Sequence, residues 1–240
     1  MDVLFPLRCA GCGGGPWPFC PACRERLMLV TPPLCERCGR PTEGSVRGCR
    51  DCPPDDVETA RAPLVYEGPV RSALHRLKFS GWRAVAEAFA SAMAVVNEFE
   101  ADAVTWVPLS PARRARRGFD QARALAVAVA AHLGRPPIPL LTRTADTPPQ
   151  ARRSAVERRR AMRGAFRLSG RSPPPNVLLV DDVLTTGATA AACAHVLRSA
   201  GAARVGLLTA ARALVGPLPA RCYSGRDSRL SLWLPGDRPR

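Results

Sequence analysis

The sequence predicts an α/β domain built on a mainly parallel sheet, with a small metal-dependent module in front of it. Three observations carry this. From residue 63 onward apolar strands alternate with helical patterns, which implies right-handed crossovers between parallel strands. Eight of the ten cysteines lie before residue 53, in four C-x-x-C pairs. The clearest strand runs straight into two adjacent aspartates and a Thr/Gly loop, "VLLVDDVLTTGAT" at 177–189. Strand ends of that kind hold ligands in open α/β sheets.

Residues 1–55 are rich in Cys, Gly, Pro and Arg and show little apolar periodicity. The pairs are Cys9/Cys12, Cys20/Cys23, Cys35/Cys38 and Cys49/Cys52. C-x-x-C lets two thiolates from one tight turn reach a tetrahedral ion at about 2.3 Å, and Zn²⁺ is the usual occupant. Gly13 and Gly39 follow the first and third pairs, where such turns often need positive φ. A segment this poor in apolar residues cannot fold on a core alone, so metal would supply its folding energy. A single C-x-x-C leaves a redox dithiol open; four in series point to two structural Zn²⁺. Sequential pairing of the turns is the simplest arrangement, and a cross-braced one is the alternative. A reducing cytosol argues against a disulfide framework. Cys193, inside an alanine-rich helical pattern, reads as a small buried hydrophobe. Cys222 has no assignable role.

"CPPDDVETARAP" reads as a linker, and a second domain spans 63–212. Within it "LVY" is a short strand, 69–79 and 82–99 have helical spacing, and 103–109 is an apolar strand stopped by Pro108. Residues 119–134 form a helix that Gly134 caps. Residues 138–142 are a weak strand, and 144–163 are polar and strongly basic. Residues 177–182, the helix "ATAAACAHVLRSAG" and the strand "RVGLLTAA" complete the alternation. Residues 213–240, with many Pro, Gly and Arg, read as a poorly ordered tail.

The net charge is +15, and Lys78 is the only lysine among 35 cationic side chains. Such a surface favours polyanions, either nucleic acid or phosphorylated metabolites. No segment approaches the ~20 apolar residues of a membrane span. The N-terminus lacks a charged region followed by an apolar run, so no signal peptide is expected and the cytoplasm is the expected location.

The 177–189 stretch ends a strand and opens a helix. Backbone N–H groups and the hydroxyls of Thr185, Thr186 and Thr189 then sit at a helix N-terminus, an anion site for one phosphate. Gly187 lets the backbone approach closely. The spacing and lysine of a Walker loop are absent. Carboxylates at Asp181 and Asp182 suit vicinal hydroxyls and can help place Mg²⁺. A sugar phosphate with two free hydroxyls, ribose 5-phosphate, fits both halves.

The stretch resembles the phosphoribosyl pyrophosphate (PRPP) motif of type I phosphoribosyltransferases. The whole chain resembles the ComF family of competence-related proteins, which place a double zinc ribbon before such a domain. The resemblance covers most of the chain: the four cysteine pairs, "PPLCERCGRP", "YEGPVRSALHRLKFSG", "VPLSPARRARRGFDQA", "TPPQARRSAVERRRAMRGAF" and the acidic stretch. It implies a type I phosphoribosyltransferase fold. It also implies that Asp181 and Asp182 hold the ribose hydroxyls, while Thr185, Thr186, Gly187, Ala188 and Thr189 hold the 5-phosphate. Pro108 and Leu109 match the pyrophosphate loop, and Lys78 matches a lysine of the family. Arg113, Arg114, Arg116 and Arg117 follow that loop; guanidinium pairs bidentately with phosphate oxygens. Of these, Arg113 and Arg114 are expected at the diphosphate, being nearer the turn. Residues 144–160 match the loop that closes over the site, with Gln150, Ser154 and Arg159 as the positions to test.

Three departures stand out. The family usually has Asn where this chain has Asp120 and again where it has Ala161. Purine-salvage enzymes carry a general-base aspartate where this chain has Thr185, so nothing supports proton removal from a purine. Two functions follow. One is a PRPP- and Mg²⁺-binding phosphoribosyltransferase with an unidentified acceptor. The other is a competence factor that binds single-stranded DNA and meets protein partners of the competence machinery, its PRPP site regulatory or relic. With aromatics at 5%, DNA contacts would be mainly electrostatic. They are expected from Arg24, Arg26, Arg37 and Arg40 of the ribbon and from Arg152, Arg153 and Arg158–Arg160. Trp17, Phe19, Trp82 and Trp106 are the few stacking candidates, Trp106 being expected in the core.

Overall fold

The structure is a computed structural model that describes residues 8–144 and 164–214. Its centre is a parallel sheet of β1 (Thr59–Arg61), β2 (Leu64–Val65), β3 (Ala103–Trp106), β6 (Asn176–Leu184) and β7 (Arg204–Arg212). The order is β1-β7-β6-β3, and β2 also pairs with β7. β1 and β2 lie in one register along β7, Thr59 opposite Gly206 and Leu64 opposite Ala211. They form a single edge broken at Pro63, which has no N–H to give the ladder. β4 (Leu141–Arg143) and β5 (Phe166–Leu168) form a separate antiparallel pair.

Helices cover both faces. α2 (Gly68–Phe79), α3 (Ala84–Val96) and α5 (Gln121–Leu133) lie on one, and α6 (Ala188–Ser199) on the other. β6 is apolar on both faces because both are covered: Leu178 and Val180 join the α2/α3/α5 core, Val177 and Leu179 the α6 core. The Phe99 ring lies flat on the sheet because residue 206 is glycine; a Cβ there would stand 2.5–2.9 Å from it. α1 (Pro21–Arg24) is a single turn and α4 (Pro111–Arg117) about two. Cys193 is fully buried in the α6 core, as read from the sequence.

One expectation changes, and one element is new. The stretch read as a linker holds β1, and Val57 within it is fully buried. A three-residue strand among prolines and charges carries no readable alternation; its pairing with β7 makes it a strand. Residues 111–117, to which the sequence assigns no element, form α4, started by Ser110, whose Oγ accepts the Arg113 N–H at 3.4 Å, and ended by Gly118 at φ 70°. The 144–163 loop with Gln150, Ser154, Arg159 and the arginines from 152 to 160 lies outside the described residues apart from Thr144, as do Ala161 and Cys222. β4 and β5 flank it.

Candidate functional site

The eight cysteines gather into two sets, Cys9/Cys12/Cys20/Cys23 and Cys35/Cys38/Cys49/Cys52, with all sulfurs of a set within 4.8 Å of one another. The pairing is sequential, not cross-braced. Sγ atoms stand 3.8 Å apart at Cys12–Cys20, 3.6 Å at Cys35–Cys52 and 3.5 Å at Cys38–Cys49. Four sulfurs about 2.3 Å from one ion lie roughly 3.8 Å apart, so each set fits a tetrahedral Zn²⁺. N–H groups of Gly14 and Gly15 lower the Cys12 thiol to about 6. Burial pushes Cys35 up, but the N–H groups of Cys38 and Arg37 outweigh it and bring the thiol to about 7. Burial carries Cys38 up to about 12 against the opposing charge of Arg212. A bound metal deprotonates such a thiol outright.

The two ribbons dock differently. In the first, Phe19 meets Phe89 of α3 edge-on at 6.2 Å. Arg76 of α2 donates to the Ala10 and Gly11 carbonyls, at 2.6 Å each. In the second, Arg212, at the end of β7 and buried, donates to the Cys38 carbonyl. The Arg37 carbonyl accepts the Ala60 N–H at 2.7 Å.

At the carboxyl end of β6, Asp182 is buried and ion-paired with Lys78 from the end of α2. Its Oδ1 accepts the Val183 N–H at 3.0 Å. Asp181 is partly buried, and burial together with the Asp182 charge holds its carboxyl well above the usual range. Thr185 and Thr186 are exposed, Gly187 is buried at φ 72°, and α6 begins at Ala188. The first N–H groups of α6 have no partner inside the helix and open toward this loop.

The neighbouring turn after β3 carries Pro108 and Leu109, and the Leu109 N–H reaches Asp120 Oδ2 at 3.5 Å. Asp120 is buried, caps α5 through the Arg123 N–H at 3.1 Å and ion-pairs Arg114 at 3.5 Å. Either Asp or Asn can cap a helix; the negative charge here also meets Arg114. Arg114 is thus held by Asp120, whereas Arg117 lies over the Phe79 ring at 4.8 Å and donates to Gln121 at 3.1 Å. Burial and the Arg113 charge lower Arg117, while Asp182 and Asp120 oppose that shift. Arg117 therefore feels Arg113, Asp182 and Asp120, and Asp182 is the partner of Lys78. Sequence order favours Arg113 and Arg114 over Arg117, but one helical turn rotates Arg117 back toward α2. Phe79, 53% exposed beside Lys78, is a further site-edge residue that order alone does not single out.

In the ribbons, Arg37 pairs with Asp55 at 2.8 Å and Arg40 with Asp51 at 2.7 Å, so neither is an open contact for DNA. Phe19 and Trp106 are buried, and Trp17 and Trp82 pack against the core. Among the described residues, no helix is long and apolar enough to cross a membrane.

Comparison with known proteins places these features. Residues 1–53 match the double zinc ribbon domain. The chain is 33% identical over 203 residues to the DNA utilization protein YhgH of Escherichia coli, covering 80% of this chain and 88% of that protein. It is 31% identical over 197 residues to the competence protein ComFC of Bacillus subtilis, covering 77% and 79%. To the competence protein F of Haemophilus influenzae it is 27% identical over 231 residues, covering 89% and 100%. Among solved structures, the glutamine PRPP amidotransferase from B. subtilis matches with a TM-score of 0.41 at 20% identity over 62% of this chain. The match spans a third, 33%, of that enzyme. Orotate phosphoribosyltransferase from Aeropyrum pernix matches with a TM-score of 0.34 at 19% identity, covering 63% of this chain and 80% of that one. With a third of aligned positions shared with YhgH across most of both chains, and paired zinc ribbons ahead of a parallel sheet, this chain belongs to the ComF family.

Proposed function

We propose that the chain binds PRPP or a closely related ribose 5-phosphate. The observation that carries this is the carboxyl end of β6: an acidic pair followed at once by an open hydroxyl-bearing loop at the start of α6. The loop 185–189 takes the 5-phosphate, and Asp181 faces the ribose hydroxyls. Asp182 is committed to Lys78 and sets that lysine beside the sugar. The Pro108–Leu109 turn, with Arg113 and Arg117, receives the diphosphate. Arg114, held by Asp120, braces that turn. Mg²⁺ suits such a site because it is held by a carboxylate or two together with substrate phosphates; Asp181 is the available carboxylate. Bound there, Mg²⁺ would neutralise charge on the diphosphate. The relatives' names tie the family to DNA utilization and competence, and we place this chain in the same handling of DNA or nucleotides.

Calorimetry of the purified chain with PRPP and Mg²⁺ tests the reading. Replacing Asp181 and Asp182 together by Asn is expected to weaken PRPP by roughly tenfold or more, as loss of charged hydrogen-bond partners does. Unchanged affinity in that variant would sink the assignment.

A second reading, single-stranded DNA binding, is favoured by a groove of about 840 Å³ beside α5. Arg83 stacks on Phe119 at 5.7 Å and Arg123 on Trp106 at 6.0 Å along it. The guanidinium groups of Arg83 and Arg123 suit the phosphates and bases of a single strand, with the buried Trp106 backing Arg123. Oligonucleotide affinity should then fall with salt at a slope near −0.7 per phosphate neutralised, and flatten when Arg83 and Arg123 become Ala.

A further inference from the structure

We infer that the second zinc ribbon positions the phosphate loop: its zinc-held turn wedges Pro53 against Gly187 and holds residues 185–189 in the form that receives a 5-phosphate. This rests on the ribose 5-phosphate reading above.

Pro53 directly follows the ligand Cys52 and is buried. Its Cβ lies 3.1 Å, and its Cα 3.8 Å, from where a Cβ on residue 187 would stand. Glycine at 187 therefore answers two demands, a positive φ and the proline ring against its Cα. The wedge is pinned from behind. The Pro53 carbonyl accepts from Arg37 Nη2 at 2.7 Å, and Arg37 lies between the ligands Cys35 and Cys38. The same knuckle is tied to the sheet through the Ala60 N–H and through Arg212. A second tie reaches the same helix further along, where His195 of α6 meets Asp56 at 3.4 Å. The segment 53–56 thus grips α6 at its N-cap, Gly187, and about two turns on, at His195.

The loop is anchored at its ends, where the Leu184 carbonyl accepts the Ala213 N–H and the Gly187 carbonyl accepts the Ala191 N–H. Thr185 and Thr186 are exposed, so their order comes from Gly187 and the helix it opens. A loop that must be ordered by its ligand loses affinity to that ordering, whereas a loop already held does not. Proline suits the task because its ring fixes φ and offers Gly187 an apolar surface with no N–H to satisfy. Pro53 and Arg37 are positioning residues; neither touches the sugar phosphate. The first ribbon, docked on α2 and α3, makes the natural control.

The test uses the full-length, zinc-loaded chain. Ribose 5-phosphate, Mg-pyrophosphate and PRPP with Mg²⁺ are titrated separately by calorimetry into wild type, Pro53→Gly and Pro53→Ala, with elemental analysis to check two zinc ions per chain. Pro53→Gly is expected to weaken ribose 5-phosphate by roughly tenfold while pyrophosphate stays within about twofold. Pro53→Ala, which keeps a Cβ against Gly187, should recover most of the loss. Equal ribose 5-phosphate affinity in Pro53→Gly and wild type, or an equal loss for both ligands, overturns the positioning role alone. A wild-type chain that binds pyrophosphate or PRPP but not ribose 5-phosphate also overturns it and leaves the proposed function standing. A wild-type chain that binds none of the three overturns both.

Discussion

The two zinc ribbons share a ligand pattern and spacing but are attached to the molecule by different forces. The first is sewn into the apolar core: Phe19, Leu27 and Leu29 are buried with Leu74, Leu77 and Phe89. The second is held by polar ties to the sheet, from Arg212 of β7 to Cys38 and from Ala60 of the edge strand β1 to Arg37, and it presses on the loop at Gly187. Apolar burial is non-directional and stabilises in proportion to area. Hydrogen bonds contribute little net energy but fix geometry. The first ribbon is therefore a stability element, and the second sets the position of its neighbours.

The largest break in this contrast comes from the metal. Cys20→Ser and Cys38→Ser should each lower zinc from two per chain to one by elemental analysis. Structural zinc carries roughly 10 kcal/mol or more of folding energy in small modules, so both variants should melt earlier. Because the first ribbon shares the α2/α3 core, Cys20→Ser should lower the melting temperature further than Cys38→Ser. A larger fall in Cys38→Ser would reverse the assignment of roles.

A smaller probe leaves the metal in place. Phe19→Ala removes a buried aromatic from the shared core and should cost about 3–5 kcal/mol in denaturant unfolding. Arg212→Met removes the anchor of the second ribbon and leaves the Cys38 carbonyl short of a donor, which costs about 1–3 kcal/mol. Both variants should keep two zinc ions. Equal losses would mean that the two ribbons are held alike.

The smallest effect sharpens the loop side of the comparison. The folded chain holds the Asp181 carboxyl well above its usual range through burial and the Asp182 charge. Folding therefore favours the protonated form, and stability should fall as pH rises from the usual carboxylate range toward the raised folded value. Asp181→Asn removes the ionising group, so its unfolding free energy should be flatter across that window and higher than wild type at its upper end. A wild-type profile that rises with pH there, or one that the variant does not change, would contradict the burial and charge placed on Asp181.

Much of the fold was legible because it is written in local patterns. The strands at 103–106, 176–184 and 204–212 and the helices between them follow apolar runs and periods that the chain repeats. The cysteine spacing announced two four-cysteine clusters, and the acidic pair with its Thr/Gly loop does lie at the end of β6 and the start of α6. What escaped has no local signal. β1 exists only through β7, and α4 hides in an arginine run whose side chains all favour solvent.

By itself, then, the sequence determined the α/β class, the two four-cysteine clusters of the first 52 residues and the strand-to-helix turn at 181–189, because thiol spacing, apolar period and a strand-to-helix turn are short-range properties. Only the tertiary structure decided the rest. It chose sequential over cross-braced ligation. It turned a supposed linker into a sheet edge. It gave Lys78 to Asp182, gave Arg114 to Asp120, and set Arg117 on Phe79 within the field of Asp182. It brought Pro53 onto Gly187, 134 positions away in the chain. Lys78–Asp182, Phe79–Arg117 and Pro53–Gly187 each join residues far apart in the chain. Such pairings follow from how the layers close on one another, and no window of the sequence contains both partners.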